Sequence, residues 1–194
     1  MKEILNEYNN SLFAEFWNKY AKGTISYWEM ESICYYHHEH ELANVDYTSY
    51  GISEFNDLPK EPIIERWYRY KGIDRPIYKL NTIAGTVLDK DKIRHTVTLL
   101  TTNGVAVVKL YRDQFSAFDR QISEVLGNDD KKTIVERSWF KRGNKLLITG
   151  FRRDGQFVAK TYRNTGRHTI YKITDIGEDG TISLIWERTG EGGE

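Results

Sequence analysis

Five consecutive residues, His37, His38, Glu39, His40 and Glu41, are of the types that hold metal ions. Successive side chains on a helix diverge by about 100°, so the run cannot by itself surround a tetrahedral ion. It also lacks the spacing of the zinc-protease motif. The expectation is a polar helix end packed against the domain that follows, with no metal and no other cofactor. Ser138 and Ser183 have no neighbouring base, so nothing here suggests a nucleophilic triad.

The interleaving of cations and rings in the second half of the chain carries more chemistry. Lys109, Tyr111 and Arg112 follow one apolar run, Lys141 and Arg142 lie ahead of another, and Arg152, Arg153 and Phe157 flank a turn. Lys160, Tyr162, Arg163 and Arg167 come next. Rings offer every base a π face and cations release counterions from phosphate, so this mixture suits single-stranded nucleic acid. In a strand, alternate side chains share a face, which pairs Lys109 with Tyr111 and Lys160 with Tyr162. The same rule sends Arg152 and Arg153 to opposite faces. Phe157 and Tyr162 suit a core equally well, and of Trp139 and Phe140 one is expected in the core and the other as a platform.

These residues need a scaffold, and the patterning supplies one. Residues 2–20 repeat apolar side chains every three or four positions, as one face of a helix does, and Gly23 closes that segment. A second helix is expected from Thr24 or Ser26 towards Leu42. Between Asp46 and Asp74 periodicity fades and Gly51, Pro59, Pro62 and Gly72 appear, which reads as a long connection. After Pro76, β-rich runs cover 78–88, 95–101, 105–111, 145–152, 156–162, 168–173 and 181–186. Asn103-Gly104, Asp154-Gly155 and Asp179-Gly180 mark turns, and Gln114 to Leu126 has the spacing of a three-turn helix. Strand, hairpin, strand, helix, strand is the order of an OB barrel. The expected class is therefore mainly β: a five-stranded OB-type barrel with extra C-terminal strands in 75–194, preceded by a helical lead-in and connection in 1–74.

Composition sets the context. The 194 residues carry 28 basic and 28 acidic side chains, but residues 1–74 hold 13 acidic against 7 basic, whereas 131–172 hold 12 basic against Glu136 and Asp154 alone. Such asymmetry is expected when one part of a chain meets phosphate. A single cysteine, Cys34, excludes an internal disulfide and fits a reducing cytoplasm, and no segment approaches the roughly 18 apolar residues of a membrane span.

Two stretches resemble a known family. Residues 28–42 are similar to the motif that precedes the OB domain in bacterial C-family replicative DNA polymerase III alpha subunits: Glu29, Glu31, Tyr36, His40 and Leu42 fall on its pattern, with Glu41 where the family has proline. Residues 83–87, 98–108 and Phe115 look like that family's first three OB strands. The resemblance implies an OB domain that binds single-stranded DNA template during replication. It does not bring the family's catalytic aspartates, which lie in a much larger region that this length cannot hold. A portion of a larger polymerase and a standalone phage or mobile-element relative both remain open. The leading expectation is a non-catalytic single-stranded-DNA-binding module. The alternative is a module that docks on other replication subunits, or on the remainder of a polymerase, without touching DNA.

Overall fold

A computed structural model describes residues 11–12, 25–125, 132–162 and 166–188. The first expected helix, 2–20, lies almost wholly outside them. The chain divides into two compact units, 1–41 and 42–194.

In the first unit, helix α1 spans Ile25–Ser32 and stops well short of Leu42. Glu29 ends it chemically: its carboxylate accepts the backbone N–H groups of His37 and His38 at 2.9 and 3.0 Å and lies 2.5 Å from His38 Nδ1. Those bonds, led by the one from the His38 backbone, hold the Glu29 carboxyl below its ordinary range. The Tyr36 ring packs tilted against His40, centroids 4.6 Å apart, and its hydroxyl donates to Glu41 at 3.0 Å. The histidine run thus builds a turn, and the residue that stands where the resembled motif has proline serves as an acceptor.

The second unit is a closed five-stranded barrel with two extra strands. A hairpin, β1 (Ile64–Tyr70) and β2 (Ile73–Tyr78), precedes it. The barrel strands are β3 (Asn81–Asp91), β4 (Thr96–Thr101), β5 (Gly104–Lys109), β8 (Lys145–Arg153) and β9 (Gln156–Ala159). Helix α2 (Arg112–Asp119) and a short hairpin, β6 (Ile122–Val125) with β7 (Lys132–Glu136), join β5 to β8, while β10 (Ile170–Ile176) and β11 (Ile182–Ile185) extend the sheet beyond β8. Strand β3 pairs with β4 and β8, β4 with β5, and β8 with β9, all antiparallel; β5 and β9 close the ring in parallel. This is the OB connectivity.

Alternation in these strands fills the barrel from within. Ile83 and Val87 of β3, Val97 and Leu99 of β4, Ala106 and Val108 of β5, Leu146 and Ile148 of β8 and Phe157 of β9 are buried in one cluster. Phe115 of α2 joins it against Phe140, ring to ring at 5.2 Å, and Phe55 and Leu58 join it from the chain ahead of β1. A second cluster lies on the opposite face of the sheet, where Leu42, Val45 and Ile52 pack on Ala84, Leu147 and Ile173. Ile52, Phe55 and Leu58, within the segment expected as connection, therefore carry core.

Three elements differ from expectation for local reasons. Helix α2 ends at Asp119, because Arg120 turns to extended backbone (ψ 148°) and Ile122–Val125 pairs as a strand with Lys132–Glu136. The β4–β5 turn is formed by Thr102 and Asn103, with Thr101 paired to Gly104. Asn103 keeps a negative φ while Gly104 takes +149° with Asn56 pressed against it, so glycine is needed there. The third difference is the β1–β2 hairpin itself, which lies in the region expected as connection. Lys71 and Gly72 both adopt positive φ (50° and 79°), the geometry of a primed two-residue turn.

Candidate nucleic-acid interface

The parallel pair β5–β9 sets up the site. Val108 is level with Phe157 and Lys109 with Val158. Inward residues Val108, Phe157 and Ala159 are buried, so the opposite parity, Val107 and Lys109 on one strand and Val158 and Lys160 on the other, points out of the barrel. Both strands then run on in the same direction, each presenting lysine and, two residues later, tyrosine: Lys109 and Tyr111, Lys160 and Tyr162. The bond from Gln114 Nε2 to the Lys160 carbonyl, 3.1 Å, keeps the two continuations adjacent. Tyr111 precedes α2 and is 63% exposed. Tyr162 is half-buried, with Lys160 Nζ 5.3 Å and the Arg167 guanidinium 5.7 Å from its ring centre.

Cations surround this end. Arg112 is the exposed first residue of α2, and Lys109 Nζ donates to the carbonyl of Arg94 in the β3–β4 turn. Arg94 is partly balanced by Asp91, 3.7 Å away. The backbone N–H of Arg94, aided by that of Ile93 and by the charges of Arg94 and Lys109, lowers the Asp91 pKa. Upstream along the same wall Val105 is exposed, and Thr98, Leu100 and Val107 are half-buried. The arrangement is an open, mostly apolar wall of β4 and β5 that ends in two tyrosines and several cations. Such a surface can stack bases and hold phosphates.

The remaining candidate residues are placed elsewhere. Lys141 and Arg142 lie in the exposed turn before β8, with Arg142 Nε donating to the Leu88 carbonyl at 2.7 Å. Arg152 points towards the chain ahead of β1, its Nη1 within 3.1, 3.3 and 3.0 Å of the Phe55, Asn56 and Leu58 carbonyls and its guanidinium 4.5 Å from the Phe55 ring centre. Arg153 faces the other way, against the rings of Tyr78 and Phe151 at 4.9 and 5.3 Å. Phe157 is fully buried in the barrel, so its ring has no face to offer a base; Trp139 and Phe140 are both core. Arg163 lies outside the described residues. The structure thus gathers Lys109, Tyr111, Arg112, Lys160, Tyr162 and Arg167, sets Lys141 and Arg142 apart, and gives Arg152 to packing.

A chain with this barrel and this surface has relatives among DNA polymerases. It is homologous to a segment of two DNA polymerases. One is the "Probable DNA polymerase YorL" of Bacillus subtilis (strain 168) and the other the "DNA-directed DNA polymerase" of Bacillus phage SPbeta. Each is 40% identical over 188 residues, which is 96% of this chain and 14% of the relative. The chain therefore spans about a seventh of the proteins it matches. No protein-family model and no solved structure matches it.

Two features escaped the sequence reasoning. Arg94 joins the site only because the β3–β4 turn folds back beside Lys109, for which adjacency in sequence gives no signal. Beneath the surface, Asp119 accepts from Lys90 and from Ser138 (2.8 Å), with Lys92 at 3.6 Å. Burial raises the Asp119 pKa, but these bonds and the two lysine charges outweigh it, and the net shift is downward. This ion cluster pins the end of β3 to α2 and to the segment before β8. Among the described residues no group of three or more His, Cys, Asp or Glu side chains could hold a metal ion, and no helix is long and apolar enough to cross a membrane.

Proposed function

We propose that this chain is a non-catalytic OB module of a DNA polymerase that holds single-stranded template DNA along the outer wall of β4 and β5 and across the ends of β5 and β9. The observation that carries the reading is the pair of parallel strand ends that each present an outward lysine followed by an outward tyrosine, beside an open wall. Bases stack on Tyr111 and Tyr162; phosphates meet Lys109, Arg112, Lys160 and Arg167. Homology to a segment of two polymerases supports DNA as the ligand, and a segment of this size supplies template contact while primer extension belongs to the remainder of such an enzyme. On its own the chain neither extends primers nor degrades DNA.

The test is fluorescence anisotropy of a labelled single-stranded oligonucleotide across a salt series. Tyr111→Ala is expected to cost about 1–3 kcal/mol of affinity with little change in salt slope. Lys160→Ala is expected to reduce the logarithmic salt slope by roughly 0.7, the contribution of one phosphate contact on a single strand. Binding that is undetectable at low salt, or indifferent to both substitutions, would refute the reading and favour a module that docks on other replication proteins.

A further inference from the structure

The β1–β2 hairpin exposes what folded chains ordinarily cover. Every residue of β1 is exposed, including Trp67, Tyr68 and Tyr70, and Ile73 across the turn is 60% exposed. Rings left 44–60% exposed on one strand contribute little to the core, and a contiguous patch of them marks a contact surface.

The two faces of the hairpin differ in charge. Arg66 pairs with Ile77, Tyr68 with Arg75 and Tyr70 with Ile73, so these six side chains share one face. Trp67 pairs with Pro76 and Arg69 with Asp74 on the other. There Arg69 Nε lies 3.8 Å from Asp74 Oδ1, so cation and acid offset each other. The first face carries Arg66 and Arg75 with no acid among its six residues. The Arg75 guanidinium is 5.4 Å and Lys71 Nζ 5.5 Å from the Tyr70 ring centre. One face of an exposed ribbon thus interleaves two tyrosines with three cations, within a region of the sequence whose overall charge is negative.

We infer that this face is a second single-strand-binding surface, in which Tyr68 and Tyr70 stack on bases and Arg66, Lys71 and Arg75 meet phosphates. The inference rests on the reading that the chain binds single-stranded DNA, and adds a site to it. Uncompensated cations beside the rings select a polyanion, and rings select one whose bases are free to stack, which in a duplex they are not. The ribbon is held at its foot. Lys79 donates its backbone N–H to the Ile63 carbonyl at 2.8 Å, and Tyr78 packs on Phe151 at 4.8 Å beside Arg153. Seven residues of strand give it a reach of about 23 Å.

The experiment uses the full chain and a labelled oligothymidylate longer than the roughly 4–16 nucleotides that one OB barrel occupies, with a duplex of equal length as comparison. Tyr68→Ala with Tyr70→Ala is expected to weaken binding at least about five-fold at fixed salt, and Arg66→Ala with Arg75→Ala to reduce the salt slope by up to about 1.4. Arg69→Ala with Asp74→Ala, on the opposite face, is expected to leave binding unchanged. Thermal melts of all three are expected to match wild type, because Tyr68, Tyr70, Arg66 and Arg75 are exposed. If Tyr111→Ala weakens binding while both tyrosine-face variants do not, this inference falls and the barrel reading stands. If the tyrosine-face variants weaken binding and Tyr111→Ala does not, the hairpin site stands and the barrel site falls. Equal losses from the two faces, or a duplex bound as tightly as the single strand, overturn the inference.

Discussion

Replacing Arg152 with alanine separates a residue that builds the barrel from one that serves a ligand. Its Nη1 approaches the carbonyls of Phe55, Asn56 and Leu58. One guanidinium nitrogen has two hydrogens, so about two of these bonds form at full strength at once. A charged donor on a carbonyl contributes about 1.5–3 kcal/mol, and the cation over the Phe55 ring adds about 0.5–1 kcal/mol at a partly exposed site. The carbonyls can turn to water once the arginine is gone, which reduces the loss, and about 2–4 kcal/mol remains as the expected destabilisation. For a unit of this size that corresponds to a fall in melting temperature of roughly 4–16 °C. Arg152→Lys keeps the charge but not the planar fork, and is expected to recover only part of the loss. Arg153→Ala is the comparison: it removes a half-buried stem against Tyr78 and Phe151 and is expected to cost less than about 1 kcal/mol. Calorimetry or circular dichroism melts of the three variants decide the matter, with single-strand affinity measured below each transition. If Arg152→Ala melts with wild type while its DNA affinity collapses, the guanidinium faces the ligand and the packing argument is wrong.

Two further substitutions probe the same barrel. Asp119→Asn is expected to cost about 1–3 kcal/mol at neutral pH. Because the folded Asp119 pKa is lowered, that margin is complete above the unfolded value of about 4 and is lost as pH falls through the folded value. Urea titrations at neutral and acid pH check it, and a difference that grew on acidification would have the wrong sign. A Cβ at Gly150 would fall 2.1 Å from the Val158 carbonyl oxygen, against the strand that closes the ring, so Gly150→Ala is expected to cost at least about 3 kcal/mol. A Cβ at Gly143 meets nothing within 4 Å, and only the positive φ of 85° penalises Gly143→Ala, by about 1–2 kcal/mol. Equal chemical-denaturation midpoints for the two variants would refute this ranking.

The barrel was legible in the sequence because its strands obey one rule. In β3, β4, β5, β8 and β9 one face is buried, so apolar residues alternate or cluster between turn residues, and the observed strands fall within a few residues of the expected runs. The β1–β2 hairpin was not legible for the converse reason: Ile64–Tyr70 buries neither face, so no period of two develops, and Pro76 argues against a strand. Helix α2 was overextended because Ile122 and Val125 continue its apolar spacing, while the pairing that claims them involves residues up to 136. Along β8, alternation sends Arg152 and Arg153 to opposite faces, as their contacts show. That Arg152 is held by carbonyls 94 to 97 residues away is a tertiary fact with no local pattern. Phe157 illustrates the limit in another form, since ring chemistry on a strand is the same whether the ring faces in or out.

Among the described residues the ring is closed by two residue pairs, Val108 with Phe157 and Lys109 with Val158. A joint that short is the natural place for the barrel to breathe, and amides flanking it are expected to exchange with solvent through openings smaller than global unfolding. Lys109 and Lys160 belong to the opposite sides of that joint. A strand of nucleic acid lying across both would therefore act as a latch, because any ligand that prefers the closed ring stabilises it in proportion to its occupancy. Occupancy of the surface and cohesion of the barrel become one equilibrium, so slowed hydrogen exchange at Lys109, whose backbone lies in the joint, would report a bound strand without any label on it.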